Sequence, residues 1–382
     1  MYETKVIFVT PDNVREAPGG IGGILASLSD RLGREGYEFA AVVPNRRASR
    51  APSVAQTVRV EEIDAKSLRR QIANYDPGDT VVHFNYPLLH PELILAATAS
   101  IPTIATIHTT AIGELKSLAT VSPASLTPSD AAFVGTFPFQ YLAEARGSKA
   151  SAVIGVSRSV MNETTTSHAH ARNWRWQVLQ NGVDLNLFRP GGREGPSERP
   201  TLLFVGRHIA RKGIADLVRA FGRIRLHPSR PILVLAGRPS AATYRLIQQY
   251  LPPAGRRDVR IVGFVSRHDL VRLLSDATAL VFPSHYEGCP LAVLEALGTG
   301  CPVVGYAIPS LVEIVGGEQS GCVLVPPFDV EGLSRAIAQL LDSSEYQAVL
   351  RNRAINLAKA SFDLERVATS YRRLYETAVE GG

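Results

Sequence analysis

The sequence predicts an α/β fold of two doubly wound, Rossmann-like parallel-sheet domains. Short apolar runs alternate with helical patterns along most of the 382 residues. A segment rich in glycine, proline and charge interrupts this alternation at 191–200, after which it starts again. Repeated strand–helix units predict parallel sheets, and the composition of the interruption is that of a linker. We therefore expect an N-terminal domain over 1–185 and a C-terminal domain over 186–361.

The N-terminal half contains five apolar runs that predict buried strands. The runs are continuous rather than alternating, as in parallel sheets covered on both faces, and they lie at 6–9, 39–43, 80–84, 103–107 and 152–157. Residues 109–136, between the last two runs, are rich in serine, threonine, alanine and proline and show weak periodicity. We predict a long, mobile loop with short helices over this segment.

The C-terminal half repeats the pattern of strands and helices. Strands are predicted at 201–205, 232–237, 259–265, 279–282 and 302–305. Shorter helices are predicted at 214–225 and 269–274, and long ones at 330–341, 344–360 and 364–379. Each half therefore supplies the strands of its own sheet.

Composition favours some classes of function over others. The net charge is +6 and the pI about 9.3, which suits an anionic ligand such as a phosphate ester and permits weak contact with an anionic membrane. No arginine run is interleaved with aromatic residues, so we predict no nucleic-acid binding. The three cysteines fit neither a zinc pattern nor a full disulfide framework, and neither a signal peptide nor a transmembrane span is indicated. We expect a cytoplasmic protein.

The most informative stretch is 282–297, where a strand end, a tight loop and a helix start follow one another. Gly288 gives the loop backbone freedom, and Pro290 suits a first helical position because its missing N–H costs nothing there. A helix start attracts an anion such as a diphosphate. Glu287 and Glu295 would then bind hydroxyls on either side of that anion, as a nucleotide-sugar requires. The alternative is a plain helix N-terminus whose acidic residues favour the dipole.

A glycine-rich segment, 18–23, precedes the first predicted helix. Glycines such as Gly20 and Gly22 allow backbone amides to approach a phosphate closely when a helix follows. The spacing is that of neither a Walker loop nor a dinucleotide fingerprint. A flexible connection is the alternative interpretation.

Strand ends supply further candidates, because ligands of open α/β sheets bind at the carboxyl ends of the strands. His83 and His108 both lie at such ends, and we interpret His83 as structural and His108 as a candidate site residue. Arg207 and Lys212 follow the first strand of the C-terminal half. Two cations there would stabilise a leaving diphosphate, and two solvated loop charges are the alternative.

Together these motifs resemble those of the retaining glycosyltransferases of family 4, which have the GT-B fold. The resemblance spans almost the whole chain in family order. It is carried by Gly19 to Gly22, His108, 156–159, 181–184, Phe188, Gly206-Arg207, Lys212-Gly213, 284–291, Glu295-Ala296 and 300–304. It implies that the two domains face each other across a cleft, and that the last helix, about 362–382, crosses back to the N-terminal domain.

The resemblance also implies roles for the matching residues. Glu295 would bind the ribose hydroxyls, and Glu287 would hold hydroxyls of the transferred sugar. The implied catalytic residues are His108, Arg207, Lys212 and Glu287. The implied donor site consists of Gly20, Gly22, Arg207, Lys212, Gly263, Val265, Glu287, Gly288, Cys289, Pro290, Leu291 and Glu295. Neither a cofactor nor a metal is implied.

The activity implied by the resemblance is the transfer of a hexose-type sugar from a nucleotide diphosphate, UDP by family frequency, to an acceptor hydroxyl. The anomeric configuration would be retained, and a small natural-product or cyclitol acceptor is one candidate. The alternatives are a nucleotide-sugar hydrolase or epimerase on the same fold and a non-catalytic nucleotide-sugar-binding subunit. An NAD-linked oxidoreductase is disfavoured. One departure from the family is Pro309-Ser310, where many members have two glycines.

Overall fold

The structure, a computed structural model, describes residues 4–10, 20–42, 59–61, 70–72, 74–86, 101–146, 150–191, 199–317 and 320–381. The chain divides into two compact units. The first comprises Met1–Gly113, Gly135–Gly182 and Leu364–Gly382, and the second comprises Glu114–Val134 and Val183–Asp363. The segment Glu114–Val134 therefore groups with the second unit, although the strands before and after it belong to the first.

Parallel strands form the sheet of each unit. They are β1 (Lys5–Val9), β2 (Glu38–Val42), β3 (Arg59–Glu61), β4 (Thr80–Tyr86), β5 (Thr103–Ile107), β6 (Ala152–Gly155), β7 (Trp176–Val178), β8 (Thr201–Val205), β9 (Ile232–Ala236), β10 (Val259–Gly263), β11 (Ala279–Phe282), β12 (Val303–Tyr306) and β13 (Cys322–Val325). The first sheet has the order β3-β2-β1-β4-β5-β6-β7 and the second β10-β9-β8-β11-β12-β13. The predicted fold of two doubly wound parallel sheets is confirmed.

Helices connect these strands within the described part of the chain. They are α1 (Gly20–Gly33), α2 (Ala111–Leu118), α3 (Pro128–Ala145), α4 (Arg158–Ser167), α5 (Ile214–Ile224), α6 (Ala241–Tyr250), α7 (Pro253–Arg256), α8 (Arg267–Asp276), α9 (Leu291–Thr299), α10 (Pro309–Val315), α11 (Val330–Asp342), α12 (Ser344–Ser361) and α13 (Leu364–Glu380). None of the helices in the described ranges is long and apolar enough to cross a membrane.

The core of the first unit packs α1 and α13 against one face of its sheet. Apolar side chains of α13 recur at helical spacing, so one stripe of the helix is buried, from Val367 to Ala378. His83 on β4 lies in this core with no exposed surface. Its Nδ1 is 2.9 Å from the hydroxyl of Tyr375 and its Nε2 is 2.8 Å from that of Thr106. The structural interpretation of His83 agrees with these contacts.

The second sheet has a topological switch point between β8 and β11. The chain adds β9 and β10 on one side of β8 and then returns to place β11, β12 and β13 on the other side. At such a point the loops after the two central strands diverge and leave a crevice, which is where ligands of doubly wound sheets bind. The two loops in question are 206–213 and 283–290.

The prediction of a long loop with short helices over 109–136 was right about short helices and wrong about a long loop. Most of that segment is helical, because α2 and the first half of α3 lie within it. Pro128 is the first residue of α3, where a proline is tolerated. The carboxylate of Asp130 also accepts hydrogen bonds from the amide (2.8 Å) and hydroxyl (2.6 Å) of Thr127. The proline, serine and threonine content thus marks helix ends and not an extended loop.

Candidate functional site

The loops after β8 and β11 meet at the switch point, and Gly213 is the residue that permits this. Gly213 has a left-handed φ of 71°. A Cβ at this position would lie 1.9 Å from the carbonyl oxygen of Pro283, a separation that no side chain tolerates. The amide of His285 also donates to the carbonyl of Arg211 over 2.8 Å. The glycine therefore brings the side chains of the two loops within reach of each other.

The carboxylate of Glu287 is the point where these loops converge. Its Oε1 is 2.5 Å from the ammonium of Lys212 and 2.5 Å from the hydroxyl of Ser284, which donates to it. The Arg211 guanidinium lies 3.9 Å from Oε2. Burial alone would raise the pKa of Glu287, but the charges of Lys212 and Arg211 outweigh it and hold this pKa below its usual range. Glu287 is therefore ionised and fixed in orientation.

The helix that follows this loop begins one residue later than predicted. Pro290 is the N-cap residue of α9 with an extended backbone, φ −74° and ψ 111°, and Leu291 is the first helical residue. The prediction of Pro290 as the first helical position was wrong, because its ψ keeps it outside the helix. Pro290 provides no side-chain cap. The first amides of α9 thus lack the capping oxygen that a serine or aspartate would supply.

Glu295 lies in the second turn of α9 and is buried, 6% exposed. Its carboxylate receives no hydrogen bond from the described residues. Burial raises the pKa of Glu295 to about 8, and the charge of Arg267 only partly opposes this. The Arg267 guanidinium is itself held 5.4 Å from the ring centre of Phe188. Glu295 is therefore a desolvated carboxyl group that is protonated at neutral pH, and its carbonyl oxygen is available to a hydroxyl donor.

The remaining predicted residues of the second unit differ in their exposure and backbone geometry. Arg207 is exposed, and its charge lowers the pKa of the partly buried Lys212, after the larger effects of burial and of Arg211. Gly263 ends β10 with a left-handed φ of 68° and open space where a Cβ would lie. Val265 lies two residues after Gly263 and is half-buried, whereas Cys289 is buried. Lys212, and not Arg207, makes the direct contact with Glu287.

His108 is the candidate of the first unit, and its hydrogen bond defines its tautomer. Asn85 donates through Nδ2 to the carbonyl of His83 over 3.1 Å, so its Oδ1 is free to accept. The Nε2 of His108 lies 3.1 Å from that Oδ1 and must carry the proton. Burial lowers the pKa of His108 to about 3. The ring is therefore neutral, and its Nδ1 has an acceptor lone pair.

The glycine-rich segment differs from the predicted loop. Gly20 already opens α1 with a φ of 68°, and Gly22 is buried inside the helix. The prediction that Gly22 lies in a loop before the helix was therefore wrong, since the helix starts earlier than the apolar pattern indicated. Gly19 and Pro18 lie outside the described residues.

The structure gives contacts to three residues to which sequence reasoning assigned no role, namely Arg211, Glu114 and His285. Arg211 is buried and its Nη2 lies 3.2 Å from a carboxylate oxygen of Glu114. His285 lies on the same loop as Glu287, and its Nε2 is 3.0 Å from a carboxylate oxygen of Asp216. Arg211 precedes Lys212 directly, so its position could have suggested a role. Glu114 carried no such signal, because its segment was predicted to be a loop.

No group of three or more histidine, cysteine, aspartate or glutamate side chains in the described ranges is arranged to hold a metal ion.

Comparison with known proteins identifies the family. The profile for group 1 glycosyl transferases matches residues 192–357, and the profile for glycosyltransferase family 4 matches 18–187. Glycogen synthase of Mycobacterium tuberculosis is 31% identical over 308 residues, which are 79% of this chain and 70% of that protein. The chain belongs to the family 4 glycosyltransferases. The resemblance inferred from the sequence motifs is confirmed.

Further similarities place this glycosyltransferase among enzymes of the GT-B fold. D-inositol 3-phosphate glycosyltransferase of Saccharomonospora viridis is 32% identical over 218 residues, which are 53% of this chain and 50% of that protein. The structure of Anabaena HepE in complex with UDP-glucose superposes with a TM-score of 0.74 at 15% identity, covering 98% of this chain and 100% of that one. At this identity the second comparison supports the fold alone.

Proposed function

We propose that this glycosyltransferase transfers a hexose-type sugar from a UDP-sugar to an acceptor hydroxyl, with retention of the anomeric configuration and without a metal ion. The observation that carries the proposal is the junction of Lys212, Glu287 and the uncapped start of α9 at the switch point of the second sheet. A cation, a fixed carboxylate and helix amides without a side-chain cap are the groups that a sugar diphosphate requires.

The diphosphate would bind to the amides that open α9 and to Lys212. An ammonium group has three donors, and Glu287 occupies one of them. Arg207 is exposed and supplies a second positive charge, close enough to lower the pKa of Lys212. These groups are in place before the glycosidic bond breaks, so they would stabilise the charge that develops on the leaving phosphate.

The two glutamates would bind the sugars on either side of the diphosphate. Glu287 is ionised and can accept hydrogen bonds from hydroxyls of the transferred hexose. Glu295 would accept from the ribose hydroxyls, and the backbone at Gly263 to Val265 would meet the base. His108 would contribute its neutral Nδ1 as an acceptor for a hydroxyl of the reacting sugar.

Retention follows when the acceptor hydroxyl attacks the anomeric carbon from the face that the diphosphate leaves. The bond from the anomeric carbon to the acceptor oxygen forms as the bond to the phosphate oxygen breaks, through an oxocarbenium-like state. The departing phosphate takes the proton of the acceptor hydroxyl. Neither Glu287, which is paired with Lys212, nor neutral His108 is required to act as a nucleophile in this scheme.

The acceptor is proposed to be a small polyol. Support comes from a relative that is named for an inositol phosphate acceptor. Another relative is named for glycogen synthesis, so a glucan acceptor is the contrasting outcome of the same experiment. Incubation of UDP-glucose, GDP-mannose and ADP-glucose with inositol 3-phosphate, free inositol and glycogen, followed by product analysis with chelator present, decides between them.

Two alternatives predict different products from the same incubations. A hydrolase would release free hexose at the same rate with and without acceptor, and an epimerase would return a changed nucleotide-sugar. A non-catalytic binding subunit would bind one donor and consume none. Formation of a glycoside with inverted configuration would refute the retaining mechanism while leaving the donor site intact.

A further inference from the structure

We infer that Arg211 is a positioning residue of the sugar subsite, and that the segment Glu114–Val134 is docked on the Glu287 loop to form one wall of that subsite. The inference rests on the proposed function for the identity of Glu287 as the residue that binds the transferred sugar. It adds a residue and a chain segment to which that function assigns no role.

Arg211 joins the Glu287 loop to the segment Glu114–Val134. Its side chain is buried, 6% exposed, although it carries a permanent charge. Nη1 donates to the carbonyl of Tyr286 over 3.2 Å and lies 3.9 Å from Glu287. Nη2 lies 3.2 Å from Glu114. One guanidinium therefore fixes the backbone beside Glu287, the charge of Glu287 and the start of the segment.

A second contact joins the same two parts of the chain. The Nδ1 of His285 lies 3.1 Å from the hydroxyl of Thr120, which follows α2. The Nε2 of His285 donates to Asp216 over 3.0 Å, and the hydroxyl of Tyr306 donates to the same carboxylate oxygen over 3.0 Å. Asp216 lies in the first turn of α5 and thus anchors the ring of His285 to the body of the second unit.

Both contacts converge on three consecutive residues of one loop. His285 and Tyr286 bear the contacts, and Glu287 is the next residue. A shift of the segment would therefore displace the backbone that carries the Glu287 carboxylate. Lys212 and Ser284 hold the carboxylate directly, so loss of Arg211 would move this group without leaving it unpaired. This is the property of a positioning residue rather than of a ligand.

The location of the contacts predicts which part of the donor they affect. They surround Glu287, which is proposed to bind the sugar. They involve neither Glu295 nor the first amides of α9, which are proposed to bind ribose and diphosphate. Arg211 should therefore contribute to the affinity for a nucleotide-sugar and contribute little to the affinity for the free nucleoside diphosphate.

Binding of matched ligand pairs tests the inference. Dissociation constants are measured for UDP and UDP-glucose, GDP and GDP-mannose, and ADP and ADP-glucose with wild type, Arg211→Gln, Arg211→Lys and Glu114→Gln. We expect Arg211→Gln to bind the preferred nucleotide-sugar about tenfold more weakly and the free diphosphate within about twofold of wild type. Arg211→Lys should recover part of the loss. The matched control is Arg335→Gln, which removes an exposed arginine paired with Glu331.

Hydrogen exchange of the peptides that cover 114–134 provides a readout that needs no ligand. Both Arg211→Gln and Glu114→Gln should exchange roughly tenfold faster there, with no change in β8 or β11. Equal weakening of both members of a ligand pair, or unchanged binding of both, would overturn the sugar-subsite role. Unchanged exchange would overturn the docked segment. If wild type binds none of the six nucleotides, the proposed donor function fails, and the exchange result alone decides whether the segment is docked.

Discussion

The ammonium of Lys212 lies 2.5 Å from the carboxylate of Glu287, although the two residues are 75 positions apart in the chain. The contact exists because the loops after β8 and β11 meet at the switch point of the second sheet. The contact between Lys212 and Glu287 has two effects. The pair removes the cost of burying either charge alone, and it leaves Lys212 with donors for a phosphate and Glu287 with acceptor positions for a sugar.

Replacement of Lys212 by methionine should reduce kcat by roughly 10²–10³, because one fixed electrostatic donor to the leaving group is lost. The measurement is the rate of UDP release with the preferred acceptor at saturating donor. Arg207→Met should give a smaller loss, since Arg207 is exposed and makes no direct contact with Glu287. A Lys212→Met/Arg207→Met double variant with full turnover would remove the proposed leaving-group mechanism.

Gly213→Ala should be strongly destabilising. A left-handed φ costs an alanine about 1 kcal/mol, and the clash at 1.9 Å with the carbonyl of Pro283 adds to this. We expect a total loss of roughly 3–4 kcal/mol in the free energy of unfolding, measured in urea. The matched control is Gly316→Ala, which has a φ of 60° but open space around the missing Cβ. Its loss should stay near 1 kcal/mol, and equal losses for the two variants would contradict the close approach of the loops.

The sequence predicted the sheets well because buried parallel strands are continuous apolar runs. The run at 279–282 coincides with β11, and the helix predicted at 364–379 differs from α13 by one residue. The strands β3 and β7 were missed because each has only three residues and contains polar side chains, whereas β13, an apolar run of four residues, was overlooked. Arg211 and Glu114 were missed for another reason. Their contact joins α2 to the loop after β8, 97 positions apart in the chain (211 − 114), and no local periodicity indicates such a pairing.

The pH dependence of stability should reveal Glu295. Its pKa is about 8 in the folded protein and 4.5 as its ordinary value, so the folded state binds this proton more tightly than the unfolded state. The contribution of Glu295 to stability is therefore complete below about pH 4.5 and is lost as the pH rises through about 8. Glu295→Gln removes this dependence. Relative to wild type, the variant should gain roughly 2–4 kcal/mol between about pH 5 and about pH 9.

Urea denaturation of wild type and Glu295→Gln across that pH range makes the measurement. The same variant should bind UDP more weakly above about pH 8, where Glu295 is ionised and can accept from the ribose hydroxyls through two oxygens, whereas an amide accepts through only one. A stability difference that does not change with pH would show that Glu295 is ionised at neutral pH. Unchanged affinity for UDP would show that Glu295 does not bind the ribose hydroxyls.

Asn85→Asp should convert His108 from a neutral to a charged ring. Asn85 now accepts from Nε2 of His108 over 3.1 Å, while burial holds the pKa of His108 at about 3. A carboxylate at this distance favours the imidazolium, so the pKa of His108 should rise by 2 units or more. The buried, neutral His83 nearby bears no charge that would oppose this change. Nitrogen-15 NMR of the imidazole rings of His108 and His83 follows the titration directly.

The activity of Asn85→Asp should fall as the pH decreases through the new pKa of His108, because protonation removes the acceptor lone pair of Nδ1. Asn85→Leu is the matched control, since it removes the hydrogen bond without adding a charge. It should leave the pKa of His108 low but no longer hold the proton on Nε2, so the ring can also carry the proton on Nδ1. Activity should then fall by the same factor at every pH. A wild-type-like pH–rate profile in Asn85→Asp, with a raised pKa of His108 observed by NMR, would show that the Nδ1 lone pair has no part in the reaction.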